Sequence, residues 1–136
     1  MSLNLKPGIG ERGDRVFLFP ISSRGDFGAG VLVAGRVTID ATRYRAKSAK
    51  LIAEAQTSVG TLSGVIQFYD VTDGDVQLLS EVVDSDQPEV FELDLNLDFT
   101  QPRVIEVRAG LDIGPTYAIG EQLIVWFSRV ELTTVF

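Results

Sequence analysis

Apolar and polar residues alternate strictly over residues 91–99, within the segment 90–99. The apolar positions are Phe91, Leu93, Leu95, Leu97 and Phe99, and the polar positions between them are Glu92, Asp94, Asn96 and Asp98. A period of two places one set on each face of a β-strand. This segment therefore predicts a strand with one face in the core and the other in water.

Shorter apolar stretches recur along the rest of the chain, separated by turn-forming residues. They cover residues 16–20, 31–39, 44–57, 62–71, 76–83, 103–112 and 122–135. About eight short strands at regular spacing are typical of an all-β sandwich or barrel. Residues 46–55 also allow a helix, because alanine, lysine and glutamate favour one. We keep that helix as the minor alternative and expect no long helix.

Turn residues and proline set the expected boundaries. Asp73-Gly74 predicts a hairpin turn, since both residues tolerate positive φ. Pro20 is expected to close the first strand, and residues 22–30 to form a loop. Residues 1–15 are polar, interrupted by glycine and without periodicity. We therefore predict an extended N-terminal arm over 1–15 and one β-sandwich domain over 16–136.

The composition excludes several kinds of chemistry within one chain. The 136 residues include no histidine and no cysteine, which removes imidazole and thiolate metal sites, Ser-His-Asp triads and Cys-His dyads. We predict no enzymatic activity and no cofactor.

The charge and the hydropathy also limit the partners. The net charge of −7 argues against nucleic-acid binding. No apolar run approaches the roughly 20 residues that span a bilayer, and the N-terminus does not resemble a signal peptide. We expect a soluble protein without a membrane partner.

Charge is divided unevenly along the chain. Residues 1–50 carry nine of the twelve Lys and Arg against four acids, a net charge of +5, and residues 51–136 carry a net charge of −12. The basic and acidic parts could form ion pairs within one molecule. Alternatively, their charges could steer the basic part of one molecule onto the acidic face of a neighbour. We weigh both equally. The candidate contacts for assembly are Lys6, Arg12, Arg15 and Arg24.

Acidic residues offer two further hypotheses. Residues 70–75 resemble a calcium loop superficially, but Glu81, at the twelfth position, belongs to the next strand. We favour a hairpin tip kept in water by its aspartates, and predict no metal site. Glu92, Asp94 and Asp98 form a row, yet residues two apart on a strand lie about 7 Å apart, too far to chelate one ion alone. No spacing selects a glycosidase-type carboxylate pair.

Two motifs could bind partners. The triplets at 12–14 and 24–26 both read Arg-Gly-Asp, which an adhesion ligand would present at exposed loop tips, but short motifs recur by chance.

Trp126 and Tyr117 are the candidates for an exposed sugar platform. Trp126 lies in the run Leu-Ile-Val-Trp-Phe, which is apolar on both strand faces. A core or subunit-interface position is therefore favoured over a sugar platform.

The succession of residues 64–74 (GVIQFYDVTDG), the acid-and-leucine strand 90–99, residues 103–110 (RVIEVRAG) and a final apolar strand resembles small jelly-roll proteins of phage virions. The resemblance covers roughly residues 44–135 and carries over no functional residue. It implies a two-sheet antiparallel jelly roll, frequently trimeric, that acts as capsid decoration, fibre head or tail accessory. Similar sandwiches also serve as carbohydrate-binding modules.

Three hypotheses follow. The first is a structural protein on the surface of a virion, associating with itself, preferably as a trimer, and with another virion protein through its N-terminal arm. The second is a carbohydrate- or receptor-binding module that uses Trp126 or Tyr117. The third, with the least support, is an enzyme that works with carboxylates alone.

Overall fold

The computed structural model describes residues 15–95, 100–112 and 118–134. In this part of the chain, nine β-strands and one short 3-10 turn, Ala41–Arg43, are present. The strands are β1 (Arg15–Ser22), β2 (Gly25–Phe27), β3 (Leu32–Ile39), β4 (Ala46–Thr57), β5 (Gly64–Asp70), β6 (Val76–Val83), β7 (Glu89–Leu95), β8 (Arg103–Leu111) and β9 (Leu123–Thr134).

The strands form two antiparallel sheets packed face to face. The first sheet has the order β1-β9-β4-β7, with β2 paired to β9 beside the end of β1, and the second has the order β3-β8-β5-β6. The orders β1-β9-β4-β7 and β3-β8-β5-β6 are those of a jelly roll, in which most connections cross from one sheet to the other. This confirms the predicted all-β jelly-roll sandwich. It leaves β1 and β7 as the edges of the first sheet, and β3 and β6 as the edges of the second.

The core fills the space between the two inner faces. Leu51 and Ala53 on β4 face inward, opposite Leu93 and Phe91 of β7 in the strand register. Ile66 and Phe68 on β5, with Ile105, Val107 and Ala109 on β8, are fully buried from the other sheet. The alternation predicted from residue 91 onward is therefore present in β7 up to Leu95; residues 96–99 lie outside the described residues.

The favoured strand over residues 44–57 is confirmed as β4, and the minor helical alternative for 46–55 is excluded, because alternate positions are buried against the facing sheet and tertiary packing overrides helix propensity. Two other local predictions are wrong. The loop predicted over 22–30 contains the short strand β2. Pro20 does not close the first strand, which continues to Ser22 past an irregular register. An edge strand tolerates proline because one row of its N–H groups need not pair.

Two glycines in the second sheet allow another segment of the backbone to pack directly against their own strands. A Cβ atom on Gly35 of β3 would lie 2.1 Å from the carbonyl oxygen of Ile21, and one on Gly110 of β8 would lie 2.0 Å from that of Gly30. Only glycine permits such approaches. They hold β1 against β3, and the segment before β3 against β8.

Residues 1–14 of the predicted arm lie outside the described residues, and Arg15, its last residue, begins β1. In the described ranges, no helix has the length and apolar character needed to cross a membrane.

Candidate interaction surfaces

A β-bulge in β9 directs two neighbouring aromatic side chains to the outer face of the first sheet. Glu54 of β4 is paired with Phe127, and the next residue, Ala55, is paired with Val125, so Trp126 is the extra residue on β9. Val125 and Ser128 are buried on either side of the aromatic pair. A bulge re-aims side chains in this way, and bulges concentrate beside functional sites.

Trp126 is held on this face by polar neighbours. Its indole N–H donates a hydrogen bond of 2.8 Å to Oε1 of Gln56 on β4, and the Gln56 amide donates one of 2.8 Å to the carbonyl of Asp86. The guanidinium of Arg24 lies 4.7 Å from the centre of the indole ring. That position is close enough for a cation–π interaction. The Trp126 cluster, defined as Arg24, Gln56 and Trp126, is thus a preorganised and partly exposed aromatic surface.

The structure brings together two residues that the sequence suggested for different roles. Trp126 lies on the outer face rather than in the core, and it contacts Arg24, which was a candidate for electrostatic assembly. Arg15 lies in β1 at the far end of the same sheet. Lys6, Arg12 and Tyr117 lie outside the described residues. The sequence signal for the cluster was the Trp-Phe pair between Val125 and Ser128, which breaks strand alternation.

The second Arg-Gly-Asp triplet is not at a loop tip. Gly25 and Asp26 belong to β2 and pair with Val125 and Ile124 of β9. Arg24 lies over Trp126 and its Nε is 3.4 Å from Oδ1 of Asp26. The expectation of an exposed tip is therefore wrong for this triplet, because β2 extends the ladder there. The first triplet, at 12–14, lies outside the described residues.

The outer face of the second sheet carries a buried carboxylate. Glu106 on β8 accepts hydrogen bonds from Arg36 on β3 and from Arg108 two residues along its own strand. Arg108 also lies 3.8 Å above the ring centre of Tyr69 and 3.0 Å from Oδ2 of Asp75. Burial alone would raise the pKa of Glu106, but the two guanidinium groups outweigh it and lower that pKa.

A second ion pair closes one end of the sandwich. The guanidinium of Arg103 donates hydrogen bonds of 3.0 and 2.6 Å to Oδ2 of Asp70, while Thr72 donates to Oδ1 through its backbone N–H and its hydroxyl. Burial would raise the pKa of Asp70, but the hydrogen bonds from Thr72 and Arg103 outweigh it and lower that pKa. Gly74 has φ of 119°, as the predicted turn requires.

Asp70, the last residue of β5, does not belong to the hairpin tip that was predicted to be kept in water by aspartates: it is buried and joins β5 to β8. Asp73 and Asp75 at the tip are exposed. In the part of the chain that the structure describes, no three potential metal ligands lie together, and no pocket is found.

The four edge strands carry exposed aliphatic side chains. Seven of them are each more than half exposed: Val16, Leu18, Leu32, Val33, Val76, Val82 and Val90. Among the described residues of the inner strands β4, β5, β8 and β9, no large hydrophobic side chain is exposed. Apolar sheet edges are sites where strands of other chains associate.

Some ion pairs among the described residues join the basic first part of the chain to its acidic remainder. Arg36 pairs with Glu106, and Nζ of Lys50 lies 3.9 Å from Oε2 of Glu92 at the surface. Arg43 and Arg45 are exposed and form no ion pair with a described residue. Among the described residues, internal pairing therefore involves Arg36 and Lys50 but not Arg43 and Arg45.

No family model and no curated protein matches the chain. Solved structures that share its fold include the VP2 protein of infectious bursal disease virus in a subviral particle, with a TM-score of 0.53 and 14% identity over 99% of this chain and 37% of that one. A Bacillus endospore appendage protein of disulfide-linked pili has a TM-score of 0.51 and 10% identity over 97% of this chain and 99% of that one.

A third similar structure is the CBM36-1 domain of a multidomain xylanase from the hindgut metagenome of Trinervitermes trinervoides. It has a TM-score of 0.50 and 7% identity over 87% of this chain and 96% of that one. At these identities the likeness shows the fold alone. The chain spans little more than a third of the length of the viral proteins it matches. The structural neighbours confirm the resemblance to viral jelly-roll proteins.

Proposed function

We propose that this protein is a non-enzymatic structural component of a virion surface, of the capsid-decoration type, that associates with copies of itself. The observation that carries the proposal is the concentration of exposed aliphatic side chains on the four edge strands. An edge that is both apolar and unpaired favours association with another chain. The likeness in fold to particle-forming viral proteins and to a pilus protein supports the same role.

The N-terminal arm is the second part of the proposal. Residues 1–15 carry Lys6, Arg12 and Arg15 and have no periodic apolar pattern of their own. In the proposal the arm reaches a neighbouring subunit, or another virion protein, and its basic groups meet acidic surface there. The preferred assembly is a trimer.

Sedimentation equilibrium of the full chain tests this function. We expect association into trimers, weakened when residues 1–14 are removed, a truncation that leaves β1 complete. A chain that stays monomeric at about 1 mM, the weakest affinity of interest, contradicts self-association. An oligomer of unchanged affinity after truncation contradicts the role of the arm, and a mass other than three chains contradicts the trimer. Lys6→Ala with Arg12→Ala separates charge from length, because it keeps the arm intact.

The Trp126 cluster favours a second candidate function, carbohydrate binding. A partly exposed indole ring beside an amide and a guanidinium combines an apolar face with hydrogen-bonding groups, the combination that sugar sites use. Against it, Arg24 already covers one face of the ring.

A glycan array followed by calorimetry with any glycan that binds tests the second candidate. Trp126→Ala should abolish the binding, whereas Phe127→Ala, a matched change at the neighbouring aromatic on the same face, should retain it. No binding on the array, or equal loss in both variants, contradicts the proposal.

A further inference from the structure

The two edges of the sandwich differ in charge. We call β1, β3 and the connection 40–45 the basic side, and β6, β7 and the connection 84–88 the acidic side. β1 and β3 contact each other, as do β6 and β7, so each pair of edge strands forms one side of the sandwich. The rings of Tyr44 and Phe17 are 4.8 Å apart, which attaches the connection 40–45 to β1. The two sides lie at opposite ends of both sheets.

The charged side chains of the basic side are mostly cationic, and those of the acidic side are all anionic. The basic side has four arginines and one carboxylate: Arg15, Arg36, Arg43, Arg45 and Asp40. The acidic side has six carboxylates and neither lysine nor arginine: Glu81, Asp84, Asp86, Glu89, Glu92 and Asp94. The charge division along the sequence is therefore also a division across the fold.

Exposed aliphatic side chains accompany the charges on both sides. Val16, Leu18, Leu32 and Val33 are exposed on the basic side, and Val76, Val82 and Val90 on the acidic side. An interface with an apolar centre and opposite charges around it would bury the aliphatic groups and bring the charges together. Two copies of the same side would instead oppose like charges.

Strand direction permits the two sides to meet. Three antiparallel pairings separate β1 from β7, and three separate β3 from β6, so the edges of each sheet run in opposite directions. A second copy shifted sideways, or rotated about an axis parallel to the strands, would therefore bring β7 alongside β1, and β6 alongside β3, in antiparallel orientation. Antiparallel pairing is the more stable arrangement of strands.

We propose that the acidic side of one copy binds the basic side of a second copy, so that the chain associates head to tail. This inference rests on the proposed self-association and specifies its interface. A head-to-tail contact uses two different patches on each copy, and repetition closes into a ring or continues as a filament. The trimer of the proposed function is the smallest such ring.

Charge reversal on each side in turn tests the pairing. The acidic-side variant is Glu81→Lys with Asp84→Lys, and the basic-side variant is Arg43→Glu with Arg45→Asp. All four residues are exposed and none forms an ion pair with a described residue. Aspartate is chosen at residue 45 because φ there is 50°, a left-handed conformation that aspartate tolerates.

We expect each variant alone to lose at least ~10-fold in self-association affinity, because the attraction between the two sides falls: the net charge of the acidic side changes from −6 to −2, and that of the basic side from +3 to −1. An equimolar mixture of the two should associate again, since each variant keeps one unmodified side that matches the other's. Asp112→Lys with Glu121→Lys, which changes the net charge as much as the acidic-side variant but lies on neither side, should associate as the wild type does.

Sedimentation velocity measures the association, and circular dichroism with thermal unfolding checks that each variant is folded. An effect of only one reversal, or a mixture that does not associate, overturns the head-to-tail pairing and leaves self-association standing. Equal loss in the control variant also overturns it, because the effect is then one of net charge. A wild-type chain that stays monomeric overturns the proposed function together with this inference.

Discussion

Arg36 and Glu106 form an ion pair across β3 and β8 in which the arginine side chain is 59% exposed and the carboxylate only 2% exposed. Nε of Arg36 lies 3.0 Å from Oε1 of Glu106. Arg108 approaches the other carboxylate oxygen, so two guanidinium groups cover one buried charge. The arrangement ties an edge strand of the second sheet to the strand beside it.

Removing the charge of Glu106 should destabilise the fold. For Glu106→Gln we expect a loss of about 2–4 kcal/mol in the free energy of unfolding, because hydrogen bonds between charged groups are replaced in a buried site. Asp26→Asn removes the exposed pair with Arg24 and should cost about 0.5 kcal/mol or less. Urea denaturation of both variants measures the difference; equal effects would contradict the importance of burial at Glu106.

Acid should weaken the fold through Asp70 and Glu106. The pKa of each is lowered in the folded state from ordinary values of 3.8 and 4.5, so the unfolded chain takes up protons first as the pH falls. Their stabilisation is complete above the ordinary pKa values and is lost as the pH falls through those values toward the folded-state pKa values.

The measurement is urea denaturation at several pH values between about 7 and 3, a range that brackets both ordinary pKa values. The stability difference between wild type and Glu106→Gln should shrink as the pH falls below about 4.5. A difference that stays constant over this range would contradict the lowered pKa of Glu106.

Gly110 should not tolerate a larger side chain. A Cβ there would meet the backbone of Gly30 at 2.0 Å, a contact that only backbone movement relieves. We expect Gly110→Ala to cost about 3 kcal/mol or more. Gly28→Ala is the control, because a Cβ at residue 28 meets nothing within 4 Å. Thermal unfolding compares the two, and similar melting temperatures would show that the close approach does not constrain the fold.

Tyr44 should stabilise the sandwich through its ring rather than its hydroxyl. The ring packs against Phe17 and Phe19 of β1, with centroids 4.8 and 5.5 Å away. Tyr44→Ala should cost about 2 kcal/mol, and Tyr44→Phe should cost less than about 0.5 kcal/mol. Chemical denaturation distinguishes them. A large effect of Tyr44→Phe would show that the hydroxyl contributes instead.

Period-two alternation was enough to predict strands close to their observed bounds, most clearly in β7, because a strand between a core and water has to alternate. The Asp73-Gly74 turn was predictable for an equally local reason, the positive φ at Gly74. β2 was not predictable. Its three residues have no pattern of their own and form a strand only because β9 offers partners.

The Trp126 cluster could be predicted only in part. Two adjacent aromatic residues in a strand are a signal for a bulge, but the side on which they emerge depends on the register with β4. The contact with Arg24 depends on the path of the chain between β1 and β2. The burial of Glu106 and Asp70 has the same origin, since the guanidinium partners Arg36 and Arg103 come from other strands.

The sequence by itself determined that the chain is a β-sandwich with a basic first part and an acidic remainder, because alternation and charge are properties of consecutive residues. Only the tertiary structure decided that the basic and acidic residues border opposite sides of the sandwich. Most strands adjacent in the chain belong to different sheets, so the place of a charge on the surface follows from strand order rather than from sequence position.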